Sequence, residues 1–426
     1  MNFAVKIPRS EAYMQNFINS LCFYLFVIAY IWGIILYKVI GFELIDEICI
    51  VCIALVFLYV LFRQPNWEFN KIFLLVLFIF LFYLIYSFKI GSNTKVAIIK
   101  DFFIQLKPYL AFFCIYQMRP VINEKQKKLL NQITLVCWFL LLPVGFYGLA
   151  NEMNFVKIIG HPTDYAAAIT CTALLYLFTS EGTKLNKLIF IGLLSVGIFS
   201  GRSKFYGFFV LASAITLYFN DIKRLKIDVK TIVAGLFIVT AIVFVAKDKI
   251  LFYFMPAFSG DMTNDYIARL ALYATSYSIF LDYFPFGSGF ASFGTYYSGV
   301  YYSNIYAEYG IDHIWGLNKS FTSFVADTYY PSLAQFGIVG AVLYFLFWLY
   351  IVRKVTTFNL TNKNLHWFSI TACIAGFLFI ENIADASFTG NRGAFMMMFL
   401  GYVFSNLLVN KNEIQVVEGE KERFVE

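Results

Sequence analysis

Pro285-Phe286-Gly287-Ser288-Gly289-Phe290, preceded by Arg269 and followed by Asp327-Thr328-Tyr329-Tyr330, lies in the one long polar excursion between hydrophobic runs of this chain. The excursion opens with an amphipathic run, Ile267 to Phe284, and continues through a Tyr-rich segment. It then re-enters apolar sequence containing Gly337 and Gly340. On either side the chain is apolar in blocks. The contrast makes this stretch the place where an extracytoplasmic active site would be built or covered.

The flanking blocks decide the class. The 426 residues are 60% hydrophobic, whereas soluble domains are nearer half apolar. Many runs reach the roughly 20 apolar residues that carry a helix across a bilayer core. The expected fold is all-α: a polytopic integral membrane bundle of about twelve helices. The expected spans are 17–37, 45–62, 72–88, 102–118, 129–149, 165–180, 187–200, 204–220, 231–246, 331–351, 366–382 and 391–409. Spans one to nine fill 1–247, a large periplasmic loop with interfacial helices fills 248–330, spans ten to twelve fill 331–410, and 411–426 is a cytoplasmic tail. Lys6 and Arg9 precede a first apolar run too long for a cleavable signal, so it reads as a start-transfer helix that stays.

Charge fixes the orientation. With the N-terminus in the cytoplasm, the larger share of the 33 Lys and Arg residues falls in cytoplasmic segments, as membrane proteins prefer. The net charge of +7 therefore belongs to cytoplasmic loops and does not call for nucleic acid. The run 267–284 is nearly long enough to span, but carries Arg269, Asp282 and several Ser and Thr. Counting it would move Arg353, Lys354, Lys363 and the tail outside, so it is read as an interfacial helix. The seven cysteines all fall in apolar runs, which argues against a disulfide framework. Cys49 and Cys52 have redox-motif spacing but read as small hydrophobes in an apolar helix.

Ionisable groups at membrane depth are costly and are functional candidates. Ser200-Gly201-Arg202-Ser203-Lys204 separates two short spans and puts Arg202 at the outer edge. Its planar fork suits phosphate oxygens; an interfacial Arg reaching lipid head groups explains it equally. Arg269 can pair locally with Asp265, four residues earlier. Asp327, four residues before Pro331, is either a helix cap or a desolvated carboxylate able to act as a base. His161 and Asp164 open the sixth span in a similar way and suit capping. Asp385 and Arg392 lie on one outer face and can pair. Twelve tyrosines fall between residues 266 and 330, a residue type that stacks on sugars and also populates membrane interfaces. No Walker A or nucleotide fingerprint occurs, and no Cys/His cluster has zinc spacing. Glu43, Asp46 and Glu47 in the first outer loop form an acidic group without a neighbouring His.

With these residues in place, the chain resembles the O-antigen polymerase and O-antigen ligase superfamily of bacterial envelope enzymes. Ser200-Gly201-Arg202-Ser203 resembles that family's Ser-Arg turn between closely spaced helices. Arg269 through Pro285-Phe286-Gly287-Ser288-Gly289-Phe290 resembles its Arg followed by Pro-hydrophobic-Gly-x-Gly. Asp327-Thr328-Tyr329-Tyr330, with Gly337 and Gly340, resembles its re-entry into the membrane after the large loop. The similarity covers roughly residues 160–345. Ligases of the superfamily usually show His-Asn-x-Tyr at the re-entry, and Asp327 stands where that His would be, which favours a polymerase.

The resemblance implies transfer of an undecaprenyl-diphosphate-linked glycan onto the next lipid-linked repeat, at the periplasmic face of the bacterial inner membrane. It implies Arg202, Arg269 and Asp327 as catalytic residues. Tyr266, Tyr273, His161, Tyr329, Tyr330 and Arg392 would bind substrate, with no metal and no cofactor. Partners would be the lipid-linked oligosaccharide, membrane lipid and a chain-length regulator protein. A ligase is the nearest alternative. A lipid-linked oligosaccharide flippase is the alternative from another class, although related halves, common in transporters, are not evident.

Overall fold

The computed structural model describes residues 9–42, 44–63, 67–151, 153–218, 240, 266–362 and 365–423. The expected ninth span and the first part of the large loop, with Asp248, Asp261 and Asp265, lie outside the described residues, as does Glu43. Within them the chain is all-helical, without a named strand. The helices are α1 (Arg9–Tyr30), α2 (Tyr37–Ile40), α3 (Ile45–Arg63), α4 (Trp67–Ile90), α5 (Lys95–Met118), α6 (Glu124–Ala150), α7 (Met153–Ile159) and α8 (Pro162–Thr179). They continue as α9 (Lys184–Ser195), α10 (Ser203–Tyr218), α11 (Tyr266–Asp282), α12 (Tyr296–Val300), α13 (Ile305–Glu308), α14 (Gly337–Asn362), α15 (His366–Glu381) and α16 (Asn391–Arg423).

Among the described residues, five helical stretches are long and apolar enough to cross a membrane: Tyr13–Ile35, Ile45–Arg63, Asn70–Ile90, Glu124–Ala150 and Tyr330–Phe358. They show why the chain reads as a membrane protein. Phe78, Ile85, Phe139 and Leu55 are each more than 60% exposed, and apolar surface on that scale is stable against lipid, not water. The other expected stretches among the described residues also coincide with helices, but these are shorter or carry charge. α5 holds Lys95, Lys100, Asp101 and Lys107, α10 is 16 residues long, and α15 is a short apolar helix.

The chain divides into two units, residues 1–70, 109–200 and 394–426 in one and 71–108 and 201–393 in the other. In the first, α8 is buried almost throughout because its Ala and Thr residues are small. Thr170 and Thr172 return their hydroxyls to carbonyls one turn back, at Ala166 and Ala168. Thr172 also meets the Tyr30 hydroxyl at 2.7 Å. Gly145 of α6 admits the Tyr165 ring: a Cβ there would stand 2.1 Å from its hydroxyl. All seven cysteines are free thiols, six of them buried. Asp46 and Glu47 occupy the first turn of α3, where the helix dipole favours carboxylates.

The second unit gives the large loop a core of its own. Ala268, Leu272 and Ile279 of α11 pack with Phe293, Ile305, Tyr306, Leu317 and Val325. The run read as an interfacial helix therefore buries one face in protein, at spacings of four and seven residues as an amphipathic helix requires. Gly287 and Gly337 meet backbone to backbone. A Cβ on Gly287 would fall 2.2 Å from the Gly337 nitrogen, and one on Gly337 2.4 Å from the Gly287 nitrogen. Both have positive φ, 78° and 60°, which glycine adopts without strain. The Tyr86 hydroxyl donates to the Gly287 carbonyl at 2.8 Å, and Gly289 N–H to the Gln335 carbonyl at 2.8 Å. The Gly-x-Gly sequence is thus a packing joint between the loop and the re-entry helix.

Candidate functional site

In the second unit, three helix starts carry cations. Lys204 lies in the first turn of α10, just after Gly201 and Arg202. Arg269 lies in the first described turn of α11, and Arg392 is the second residue of α16. Gly201 has a φ of 65°, which lets the chain turn immediately ahead of α10. A helix N-terminus already carries roughly half a positive charge. Cations placed there repel it unless anions face them.

Three carboxylates do. Asp327 Oδ2 accepts from both Nε and Nη2 of Arg269. Glu381, the last residue of α15, accepts from Lys204 Nζ at 2.8 Å through Oε2, which also lies 3.5 Å from Arg392 Nη1. Asp385 Oδ2 accepts from Arg392 Nη2 at 2.6 Å. Lys204 also donates to the Ala384 carbonyl at 3.2 Å. The charges of Asp385 and Lys204 both act on Asp327, so the pairs form one electrostatic cluster. Arg202 lies two residues before Lys204 in the sequence, just ahead of α10. The Glu381 side chain is only 5% exposed, and charges this dry interact far more strongly than in water.

Asp327 is held differently from the other two acids. The Arg269 guanidinium presents its Nε and Nη2 to one oxygen, Oδ2. Oδ1 has no hydrogen-bond partner among the described residues. Burial pushes the Asp327 carboxyl up to about 6, against the lowering effect of Arg269; Asp385 adds to the rise and Lys204 opposes it. This group therefore changes protonation near neutral pH and keeps one oxygen available for a proton. The capping alternative does not describe it: the re-entry begins with a 3-10 turn over Tyr330–Phe336 whose cap is Tyr329, with no side-chain cap bond. Arg269 pairs with Asp327, 58 residues away, while its expected local partner Asp265 lies outside the described residues.

The expected tyrosines take other parts. Tyr329 is buried, its ring packed on Phe388 at 5.2 Å and Tyr344 at 5.5 Å. Tyr330 donates its hydroxyl to the Phe379 carbonyl at 2.9 Å. Tyr273, one turn after Arg269, donates to the Ile383 carbonyl at 2.8 Å and keeps part of its ring exposed. These bonds, with Tyr329 N–H to the Asn382 carbonyl at 3.1 Å, tie the segment after α15 to the rest of the cluster. Tyr266 opens α11, and its side chain lies outside the described residues. His161 belongs to the first unit, where its Nδ1 accepts from Thr163 N–H at the start of α8, the capping role its position suggested.

Lys204 and Glu381 are the members that sequence reasoning did not assign. A usable signal was present: Glu381 closes an apolar run, and an acid at that depth requires a partner. Chemically, the cluster can accept a polyanion in exchange for Asp327 at Arg269, and it can take up a proton on Asp327. No protein-family model matches the chain, and no curated protein matches it.

Proposed function

We propose that the protein is a lipid-linked glycan polymerase of the bacterial inner membrane, with twelve spans, both termini in the cytoplasm and the charged cluster at the periplasmic face. The observation that carries this reading is the gathering of Lys204, Arg269 and Arg392, each in the first described turn of a helix, against the carboxylates of Glu381, Asp327 and Asp385. Such a site suits a diphosphate whose negative charge grows as it departs.

In the reaction, a hydroxyl of the acceptor repeat attacks the anomeric carbon of the chain held on undecaprenyl diphosphate. The new C–O bond forms as the bond to the diphosphate breaks, and the bonding pair leaves on the diphosphate oxygen. Arg202 and Arg269 stabilise that charge. The hydroxyl proton passes to Asp327, whose Oδ1 is unengaged. The side chains on Asp385 and Glu381 hold Arg392 and Lys204 in place around the leaving group. Substrate sugars meet the exposed part of Tyr273, and a chain-length regulator protein is a fitting partner for such an enzyme.

Deletion of the gene, followed by gel analysis of surface polysaccharide, tests the reading. A ladder that collapses to single repeats supports it. Long chains kept on undecaprenyl but lost from the lipid A core make the protein a ligase. Repeats trapped on the cytoplasmic side make it a flippase.

A further inference from the structure

Lys204 and Glu381 are badly placed for their own helices. The cation stands in the first turn of α10 and the acid at the last residue of α15. Each therefore opposes the helix dipole it sits on. Glu381 is also nearly fully buried, and a buried ion pair is seldom a net source of stability compared with apolar residues of similar volume. Local electrostatics thus does not account for the pair, whereas a third charged group would.

The geometry points to that group. An ammonium has three donors. Lys204 spends one on Glu381 Oε2 at 2.8 Å and one on the Ala384 carbonyl at 3.2 Å. The third has no partner among the described residues, and the side chain is 22% exposed. We propose that Lys204 is a further diphosphate-binding residue, with its third donor directed to a phosphate oxygen, and that Glu381 is the positioning residue that holds it there. An anion bound beside Lys204 also meets the positive end of α10, which removes the unfavourable placement of the cation. Arg392 Nη1 lies 3.5 Å from the same Glu381 oxygen, so the acid keeps a second cation beside it when Lys204 also engages the ligand. The inference rests on the polymerase reading and names a contact that the two arginines do not supply.

The test uses full-length protein in detergent, with inorganic pyrophosphate and a short-chain polyprenyl diphosphate as probes. Lys204→Met should weaken binding of both by about tenfold or more, as loss of a hydrogen bond between charged groups does. Glu381→Gln should weaken binding in the parent and add nothing in the Lys204→Met background. The double variant Lys204→Met/Glu381→Gln carries no buried unpaired charge, so it should fold as the parent does and still bind weakly. A structural pair gives the opposite pattern: Lys204→Met alone destabilises the protein, and the double variant restores both stability and affinity. That result overturns the proposal, as does a double variant that fails to fold. A loss seen only for retention of phosphatidylglycerol vesicles, with pyrophosphate affinity unchanged, overturns it in favour of a lipid head-group contact. A parent that binds neither probe instead refutes the polymerase reading on which the inference rests.

Discussion

Two parts of the second unit use the same span of sequence in opposite ways. Around Pro285–Gly289, polar groups are matched within the protein: Tyr86 to Gly287, Gly289 to Gln335, and Phe290 N–H to Ser87 Oγ at 2.8 Å. Backbone meets backbone so closely that no side chain fits. Around Asp327 and Glu381 the groups are only partly matched. Asp327 keeps one oxygen, Lys204 keeps one donor, and the Lys204, Arg269 and Asp327 side chains are partly open. The first arrangement is what a rigid support needs, and the second is what a ligand needs. Motif residues close together in sequence therefore divide into a joint and a site, according to whether their bonding capacity is used up.

Substitutions should separate the two. The largest effect is expected at the joint. Gly287→Ala places a Cβ 2.2 Å from the Gly337 nitrogen, and backbone cannot yield as a side chain would. Overpacking of this kind costs about 3 kcal/mol or more, so the variant should fail to yield folded protein in a detergent-extraction and melting assay. Normal yield and melting would show that the joint can shift.

At the site, the reverse pattern is expected. Arg202→Ala and Arg269→Ala should extract and melt as the parent does while losing chain extension by roughly 100- to 1000-fold, the scale for removing one preorganised donor to a developing anion. Arg→Lys should fail too where the fork is used, because an ammonium cannot reproduce it. Full polymerisation by either Ala variant would return that arginine to the supporting structure.

Asp327→Asn comes next. An amide is nearly isosteric but accepts no proton, so chain extension should fall by at least about 100-fold with melting unchanged. The parent should also show an ascending pH limb. The base works when deprotonated, and the carboxyl sits at about 6, so activity should rise as pH increases through that value. The limb should be missing from the residual activity of Asp327→Asn. A parent profile flat between pH 5 and 7 on this scale would remove Asp327 from the base role.

The smallest effect belongs to Tyr86→Phe, which deletes one hydrogen bond to the Gly287 carbonyl. A loss of about 1 kcal/mol of stability, read as a small drop in melting temperature with activity retained, is the expected result. A large loss of activity at unchanged stability would mean that the joint and the site are coupled.

Much of the site was legible in the sequence because lone charges beside apolar runs stand out. Arg202, Arg269, Asp327 and the Asp385–Arg392 pair were all visible on that ground. The meeting of Arg269 with Asp327, 58 residues on, was not. Lys204 and Glu381 are 177 residues apart, and no spacing rule encodes such a meeting. The tyrosines could not be sorted from sequence. In the fold Tyr329 is buried and packs on Phe388, while Tyr273 keeps an exposed edge. Likewise Gly287 alone signals a turn, and only Gly337 across from it explains why a side chain is excluded. The five long apolar helices among the described residues were legible because length and composition determine them; the shorter helices depend on tertiary neighbours.

The most direct test of the central claim is a single-turnover assay with purified protein in proteoliposomes carrying a lipid-linked oligosaccharide. The account predicts that each glycosidic bond formed releases one polyprenyl diphosphate and leaves a longer glycan on the remaining lipid. It predicts that Arg269→Ala abolishes both products together. Movement of intact lipid-linked oligosaccharide across the bilayer, with no diphosphate released, would contradict it.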